Sequence, residues 1–422
     1  MMTSQTSDTN LNIIENIISA SASSEFYLSE DVYDHAGNKL LGKGYKVTPS
    51  IKDKLINRVL KKPLETSISS DSLLTSHDVY LEAEGLIDNN PFLLSFSAEL
   101  KLDISAVKFV ELAPLASLLL TVQRNNSKEA FGHTILVMLI ARQIAKRLNY
   151  DANKTHDLTI ASLLHDVGEL YCVIPNTKNL SLEHWRSIMT HPIIGSSVVR
   201  QHMSYPACVH KAILEHHERN DGSGYPNHLP AERCSDIGKV LIVAEAFSGM
   251  IRRQYDLSNL ITTLKLVNHD FPALQFNALI DLLSSLRKLE NVKATNPILD
   301  HLLAQLKNIE EMIDLLKALE RSHPNLKELA TYLILRLSRI CQTIYASGLT
   351  DCIELGMWEQ IKLDEEVNHE LFITINEVEW KLKDVFRDVS LRVIKDEVEN
   401  SDEILKVIQK IKGGEQALPT MQ

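Results

Sequence analysis

The sequence predicts a mainly α-helical protein, and three observations carry that expectation. From Lys128 to about Arg287 the chain reads as a succession of helices, with no strand-like alternation to interrupt them. Beyond Asn291 the apolar residues Ile298, Leu302, Leu306, Ile309, Ile313, Leu316 and Leu319 recur at three- and four-residue intervals, drawing one stripe down a helix. Short β-type runs punctuated by glycine are confined to a stretch that begins at Phe26.

Taken in order, residues 1–25 are rich in Ser, Thr and Asn and read as a mobile tail with a short helix at Leu11–Ser19. Residues 26–70 read as a β-hairpin plus a helix. Asp34-His35-Ala36-Gly37-Asn38 makes the turn, Gly42 and Gly44 punctuate the second run, and Thr48-Pro49 starts a helix continuing through Ile51, Leu55 and Val59. Nothing in this module suggests chemistry. Residues 71–119 read as helical connectors, 120–288 as an all-α catalytic domain and 289–422 as an all-helical carboxy-terminal domain. In the last, Pro324 breaks the first long helix, and further helices are expected at about 326–347, 353–363, 366–397 and 402–411. Its stripes, such as Leu326, Leu329, Leu333, Leu337 and Ile340, suit either a helical domain packed on itself or a surface for a homodimer or protein partner.

Composition narrows the function. A hydrophobic content of 44% with 23% charged residues describes a soluble globular chain. A formal charge of −11 argues against a nucleic-acid polymer or an anionic membrane as partner, because phosphate backbones call for a basic surface. A small anionic ligand held through metal ions stays compatible with that charge. The amino terminus lacks the basic-then-apolar signature of a signal peptide, and stretches such as Val110–Val122 are too short to span a bilayer. The five cysteines show no CxxC spacing, so a cytoplasmic location with reduced thiols is expected.

The histidines point to metal chemistry. Ten of the sixteen lie between His133 and His228. Residues 216–226 read His-His-Glu-Arg-Asn-Asp-Gly-Ser-Gly-Tyr-Pro, adjacent imidazoles at an expected helix end followed by a glycine-rich turn. Neutral imidazoles grip divalent cations, and a glycine turn lets a phosphate approach the backbone. Glu129 and His133 are four apart and share a helix face. His165-Asp166 falls where a helix is expected to end, with Gly168 as its C-cap; an Asp there can bridge two cations while its neighbour binds one. His191-Pro192 opens another helix with His191 at the N-cap. Glu245 sits in the apolar run Val240-Leu241-Ile242-Val243-Ala244, where a carboxylate needs a partner and a metal is a candidate. Three further His-Asp pairs, His77-Asp78, His156-Asp157 and His269-Asp270, read as chance.

Together His133, His165-Asp166, His191, His216-His217 and Asp221-Gly222-Ser223-Gly224-Tyr225-Pro226 resemble an HD-GYP domain, a branch of the HD phosphohydrolases, over roughly residues 120–288. The resemblance implies an all-α domain binding two or three divalent metals, iron or manganese, and hydrolysing cyclic di-GMP to pGpG and GMP by attack of a metal-bridging hydroxide. It implies that His133, His165, Asp166 and Glu245 hold one ion, and that Asp166 bridges to a second held by His191, His216 and His217. Glu129 matches a carboxylate that supports a third ion, and Gly222, Gly224, Tyr225 and Pro226 would line the substrate groove. Two positions depart from the pattern. Glu245 stands where the family usually has aspartate, which keeps the charge and lengthens the reach. Glu169 stands where it usually has lysine, a change of two charge units beside a phosphate site, so that Glu169 is expected either to ligate an extra cation or to point to solvent. A catalytically weak sensor or scaffold, and a phosphohydrolase of another nucleotide, are the alternatives.

Overall fold

A computed structural model describes residues 5–55, 58–90, 93–94, 104–173, 181–252, 260, 263–264, 267–284, 298–346, 365–396 and 401–412. Chain contacts divide it into two compact units, residues 1–254 with 268–287, and residues 255–267 with 288–422. The protein is mainly α-helical, with short strands only between residues 27 and 69 among the described residues. None of its described helices is long and apolar enough to cross a membrane.

In the first unit α1 (Gln5–Ala20) is longer than the sequence suggests, and it buries Ile13, Ile14 and Ile17. The small β module contains two antiparallel pairs rather than one hairpin. β2 (Val32–Tyr33) pairs with β3 (Lys39–Leu41), whereas β1 (Tyr27–Leu28) pairs with β4 (Ile68–Ser69) across the whole module. The helix expected to reach Val59 is short: α2 spans Ser50–Leu55, Val59 is exposed and its carbonyl accepts the His35 N–H, and Leu60 bridges to Asp34. Pairing with the hairpin turn wins there over helix propagation.

Next come α3 (Ser76–Asp88), closed by a reciprocal capping box between Thr75 and Asp78, and α4 (Pro114–Asn126). The latter runs through residue 120, where the sequence reading begins the catalytic domain. The domain proper is built from α5 (Lys128–Arg147), α6 (Ala152–Leu164), a 3₁₀ turn at Val167–Tyr171, α7 (Leu182–Ile188), α8 (His191–His202), α9 (Ala207–Glu215), α10 (Asp236–Arg252) and α11 (Ala273–Ser284). Side-chain oxygens of Ser127, Asp151 and Ser181 accept N–H bonds at the starts of α5, α6 and α7. α5 packs against both α6 and α10, and α9 packs against α6, α8 and α10. Buried residues occur all round α5 from Phe131 to Ala145, so it is the central helix of this layer.

The second unit is a bundle of α12 (Ile298–Ser322), α13 (Lys327–Ala346), α14 (Glu365–Asp396) and α15 (Ser401–Lys412). Leu306, Ile309, Leu316, Leu333, Leu337 and Ile340 of the sequence stripes are buried together with Val378, Leu382, Val385 and Val389 of α14. The break after Ser322 is a 3₁₀ turn at Pro324–Leu326. The helix expected at 353–363 lies outside the described residues. A polar seam runs through the bundle: Tyr332 donates to Asp388 at 2.6 Å, and Arg336 pairs with Asp384 at 3.0 Å and Asp388 at 3.2 Å. The four described cysteines, Cys172, Cys208, Cys234 and Cys341, are unpaired.

Candidate metal centre

Five helices deliver side chains to one buried point. His133 comes from the first turns of α5, His165 caps the C-terminus of α6 and Asp166 follows it, and His191 is the first residue of α8. Thr190, not His191, holds the N-cap position of α8. His216 caps α9, His217 follows it, and Glu245 projects from the middle of α10. His133, His165, Asp166, His191 and His216 are each less than a tenth exposed.

Two sets of donors form, and they share one residue. His133, His165 and Asp166 offer ligand atoms within 4.8 Å of one another, and so do Asp166, His191, His216 and His217. The two carboxylate oxygens of Asp166 face opposite sets: Oδ2 lies 3.0 Å from His165 Nε2, and Oδ1 lies 3.4 Å from His191 Nε2 and 3.5 Å from His216 Nε2. Oε2 of Glu245 completes the first set, 3.0 Å from His133 Nε2 and 3.1 Å from His165 Nε2.

The backbone decides which imidazole nitrogen faces inward. Nδ1 of His165 donates to the Ser162 carbonyl at 2.7 Å, that of His191 to Ile188 at 2.7 Å and that of His216 to Ile213 at 2.6 Å. In all three the acceptor lies three residues earlier, a carbonyl left over at a helix end or turn. Because Nδ1 is tied to a carbonyl, Nε2 is the nitrogen left to face the cluster, where a metal can take the place of a proton. Nδ1 of His133 is hydrogen-bonded to the Ser248 hydroxyl at 2.8 Å. The donor set fits divalent ions on a further count: Nε2 of His165 and Oε2 of Glu245 are buried without a hydrogen-bond partner, a costly arrangement unless a cation meets them.

Electrostatics follow the same geometry. Burial opposes charge on Asp166 and Glu245, yet the surrounding imidazoles outweigh it and hold both carboxyls well below the usual range. Burial lowers His216, and it brings His217 well below its ordinary value with the help of His216 and His191. For His165 burial is again outweighed, by Asp166 and Glu245, and its pKa rises well above the ordinary value.

Glu129 is placed elsewhere. At the start of α5 its side chain is exposed and pairs with Arg252 at 2.6 Å, so the shared face with His133 does not bring it to the cluster. Glu169 is half-buried, not fully in solvent as one reading of the sequence expected. It lies in the Val167–Tyr171 turn, and burial, with the charge of Asp166, pushes its pKa up to about 7. Gly168 is not a helix C-cap. It lies inside the 3₁₀ turn, where a Cβ would come within 2.0 Å of the His191 carbonyl, so its role is close packing of this turn on α8. The other His-Asp pairs lie apart: Asp78 caps α3, Asp157 accepts from Cys208, and His269-Asp270 sits in a 3₁₀ turn.

The Gly-Tyr-Pro segment folds back onto the cluster. Tyr225 stacks on His217 with ring centroids 4.6 Å apart and planes at 24°, and its N–H donates to the His217 carbonyl at 3.1 Å. Gly222 has φ +74°, which favours glycine. Gly224 is buried, and a Cβ there would strike the Glu218–Arg219 backbone at 2.4 Å, so its missing side chain makes room for the chain itself. Sequence reasoning passed over Glu215, Glu218 and Ser248. The two acids flank the paired histidines as Glu-His-His-Glu, and both are buried, a pattern visible only as an acid on either side of a helix end.

Residues 115–268 match the family model described as "HD domain". A cyclic di-GMP phosphodiesterase of Pseudomonas aeruginosa is 24% identical over 140 residues, covering 32% of this chain and 34% of that protein. A 3′3′-cGAMP-specific phosphodiesterase of Vibrio cholerae is 27% identical over 134 residues, 31% of this chain and 26% of the relative. A cyclic di-GMP phosphodiesterase of Thermotoga maritima is 28% identical over 130 residues, 30% and 35% respectively. The chain thus spans about a third of the length of the curated relatives it matches. The matched segment, residues 115–268, is similar to the HD domain and contains all seven residues of the cluster just described, a His/Asp group that could hold a metal ion.

Proposed function

We propose that the chain is a metal-dependent phosphodiesterase acting on a cyclic dinucleotide, cyclic di-GMP first among them, with pGpG and GMP as products. The observation that carries this reading is the sharing of Asp166 between two donor sets. His133, His165, Asp166 and Glu245 would hold one ion, and Asp166, His191, His216 and His217 a second. Glu129, paired with Arg252, stays outside, which favours two ions over three. Iron or manganese suits this nitrogen-and-carboxylate set. When bound, such a pair of cations supplies Lewis acidity and lowers the pKa of water at the site.

The chain's own residues do the rest. Asp166 and Glu245, held ionised, supply negative charge that would offset that of two dications in a buried place. Tied Nδ1 atoms keep three imidazoles aimed, so little reorganisation is needed when an anionic phosphodiester arrives. Tyr225, partly exposed beside His217, offers a ring face to a base or ribose.

Glu169 favours a second reading. A half-buried acid where the family has lysine weakens the case for tight phosphate binding, and it suits a sensor that binds a cyclic dinucleotide with slow or no turnover. One experiment separates the two. The full chain is loaded with Mn²⁺ or Fe²⁺, its metal content measured, and cyclic di-GMP and 3′3′-cGAMP are each offered, with Asp166→Ala as control. Turnover lost by at least about 100-fold in Asp166→Ala, together with lost metal, supports the enzyme. Binding without turnover supports the sensor; a chain that takes up no metal overturns the enzyme, and one that binds neither nucleotide overturns both.

A further inference from the structure

The paired histidines are followed by Glu218, which is fully buried although it carries a charge-bearing group. Its carboxylate is occupied by backbone donors: Oε1 accepts from Asn227 N–H at 2.8 Å and Oε2 from Leu229 N–H at 2.9 Å. These bonds close the segment 219–226 into a loop whose ends meet at one side chain. Within the loop Gly222 N–H donates to the Arg219 carbonyl at 3.0 Å, and Ser223 N–H donates to the Asp221 side chain at 3.0 Å. Gly224 lies against the Glu218–Arg219 backbone, and Tyr225 is delivered onto the ring of His217. His217 itself belongs to one of the two donor sets.

We propose that Glu218 is a positioning residue: through the amides of Asn227 and Leu229 it holds the loop that sets Tyr225 over His217, and so fixes the surface on which the dinucleotide rests. This rests on the reading of the cluster as a cyclic-dinucleotide site. The effect reaches substrate through the loop. Glu218 makes no direct contact with the donor atoms of the cluster that the hydrogen bonds and ion pairs describe, so metal occupancy is not its task. A glutamine at 218 is nearly isosteric but has a single acceptor oxygen, and its NH₂ would face an N–H donor, so one of the two bonds is lost.

The test uses the full metal-loaded chain as wild type, Glu218→Gln, Tyr225→Ala and the double variant. Amide exchange at Asn227 and Leu229, metal stoichiometry, and kcat and KM for cyclic di-GMP are measured, with calorimetric Kd replacing KM if binding occurs without turnover. Glu218→Gln is expected to speed exchange at these amides by roughly 3- to 10-fold, the loss of about one hydrogen bond. It is expected to raise KM by about 10-fold with kcat within about 3-fold and metal content unchanged. The double variant is expected to be no worse than Tyr225→Ala alone, because both act on one ring. Should Glu218→Gln fail to fold, Glu218→Asp, which keeps the charge but is one methylene shorter and so lengthens both bonds, is expected to give the same pattern. Additive KM effects, unchanged exchange, or lost metal would each overturn the proposal. A wild-type chain that neither binds nor hydrolyses the nucleotide would instead remove the reading beneath it, and the exchange rates would then still decide whether Glu218 holds the loop.

Discussion

At the level of single residues the chemistry depends on which polar groups are buried with company. The seven positions His133, His165, Asp166, His191, His216, His217 and Glu245 were legible as a set because their combined motif resembles one family, and because an acid in an apolar run, such as Glu245, needs a partner. Glu129 shows where such reading fails: helical spacing fixes a direction, not whether a neighbouring element leaves that direction open, and Arg252 draws the carboxylate outward. Glu65, in the amino-terminal module, is a buried acid outside the cluster. It accepts the Tyr171 hydroxyl at 2.8 Å, and burial raises its pKa. With the folded pKa above the unfolded one, the native state binds the proton more tightly, so stability falls as pH rises through that window. Glu65→Gln keeps the acceptor without the charge. It should therefore gain stability at neutral pH, with the gain vanishing by about pH 3, where the carboxyl is protonated in both states. Urea midpoints across pH would record this, and a pH-independent difference would refute it.

Among elements, the turn Val167–Tyr171 is the piece on which others converge. α1 reaches it through Asn12, which donates to the Tyr171 carbonyl at 3.1 Å, and Asn16, which donates to that of Leu170 at 2.8 Å. On its other side Gly168 lets the turn lie directly against the first residues of α8. Asp166 precedes this turn and His191 opens α8, so the packing sets the distance between two candidate ligands. Gly168→Ala would place a methyl 2.0 Å from the His191 carbonyl and 2.8 Å from Gly195 N. Backbone on both sides cannot yield cheaply, so a loss of about 3 kcal/mol or more is expected, with reduced metal content. Denaturation curves and metal analysis would show it; wild-type values for both would mean the two segments separate freely. Helix periodicity located these elements, but Gly168 read as a cap because a glycine after a helix usually is one.

For the whole molecule, the cluster ties α5, α6, α8, α9 and α10, and among the described residues all of its donors belong to the first compact unit. A metal bound to the native arrangement alone adds stability by mass action, about 2.7 kcal/mol at a hundredfold excess over Kd. Chelation should therefore lower one calorimetric transition by roughly 5–10 °C and leave the other in place. Two transitions that both ignore the chelator would argue against a bound metal. The helical character and the carboxy-terminal stripes were readable because burial on one face imposes the 3.6-residue period on any sequence that folds so. The pairing of β1 with β4 was not, because a partner forty residues away leaves no local periodicity.

What the amino acids alone specified is the inventory: helices, inward-facing imidazoles and acids, and a glycine turn after a histidine pair. What folding added is selection among them. It gathered seven donors, sent Glu129 outward, drew Glu169 half out of solvent, and used Glu218 to close the loop over His217. The reason is physical: periodicity records how one element meets an apolar interior, whereas the distance between residues a hundred positions apart is set only when several elements pack together.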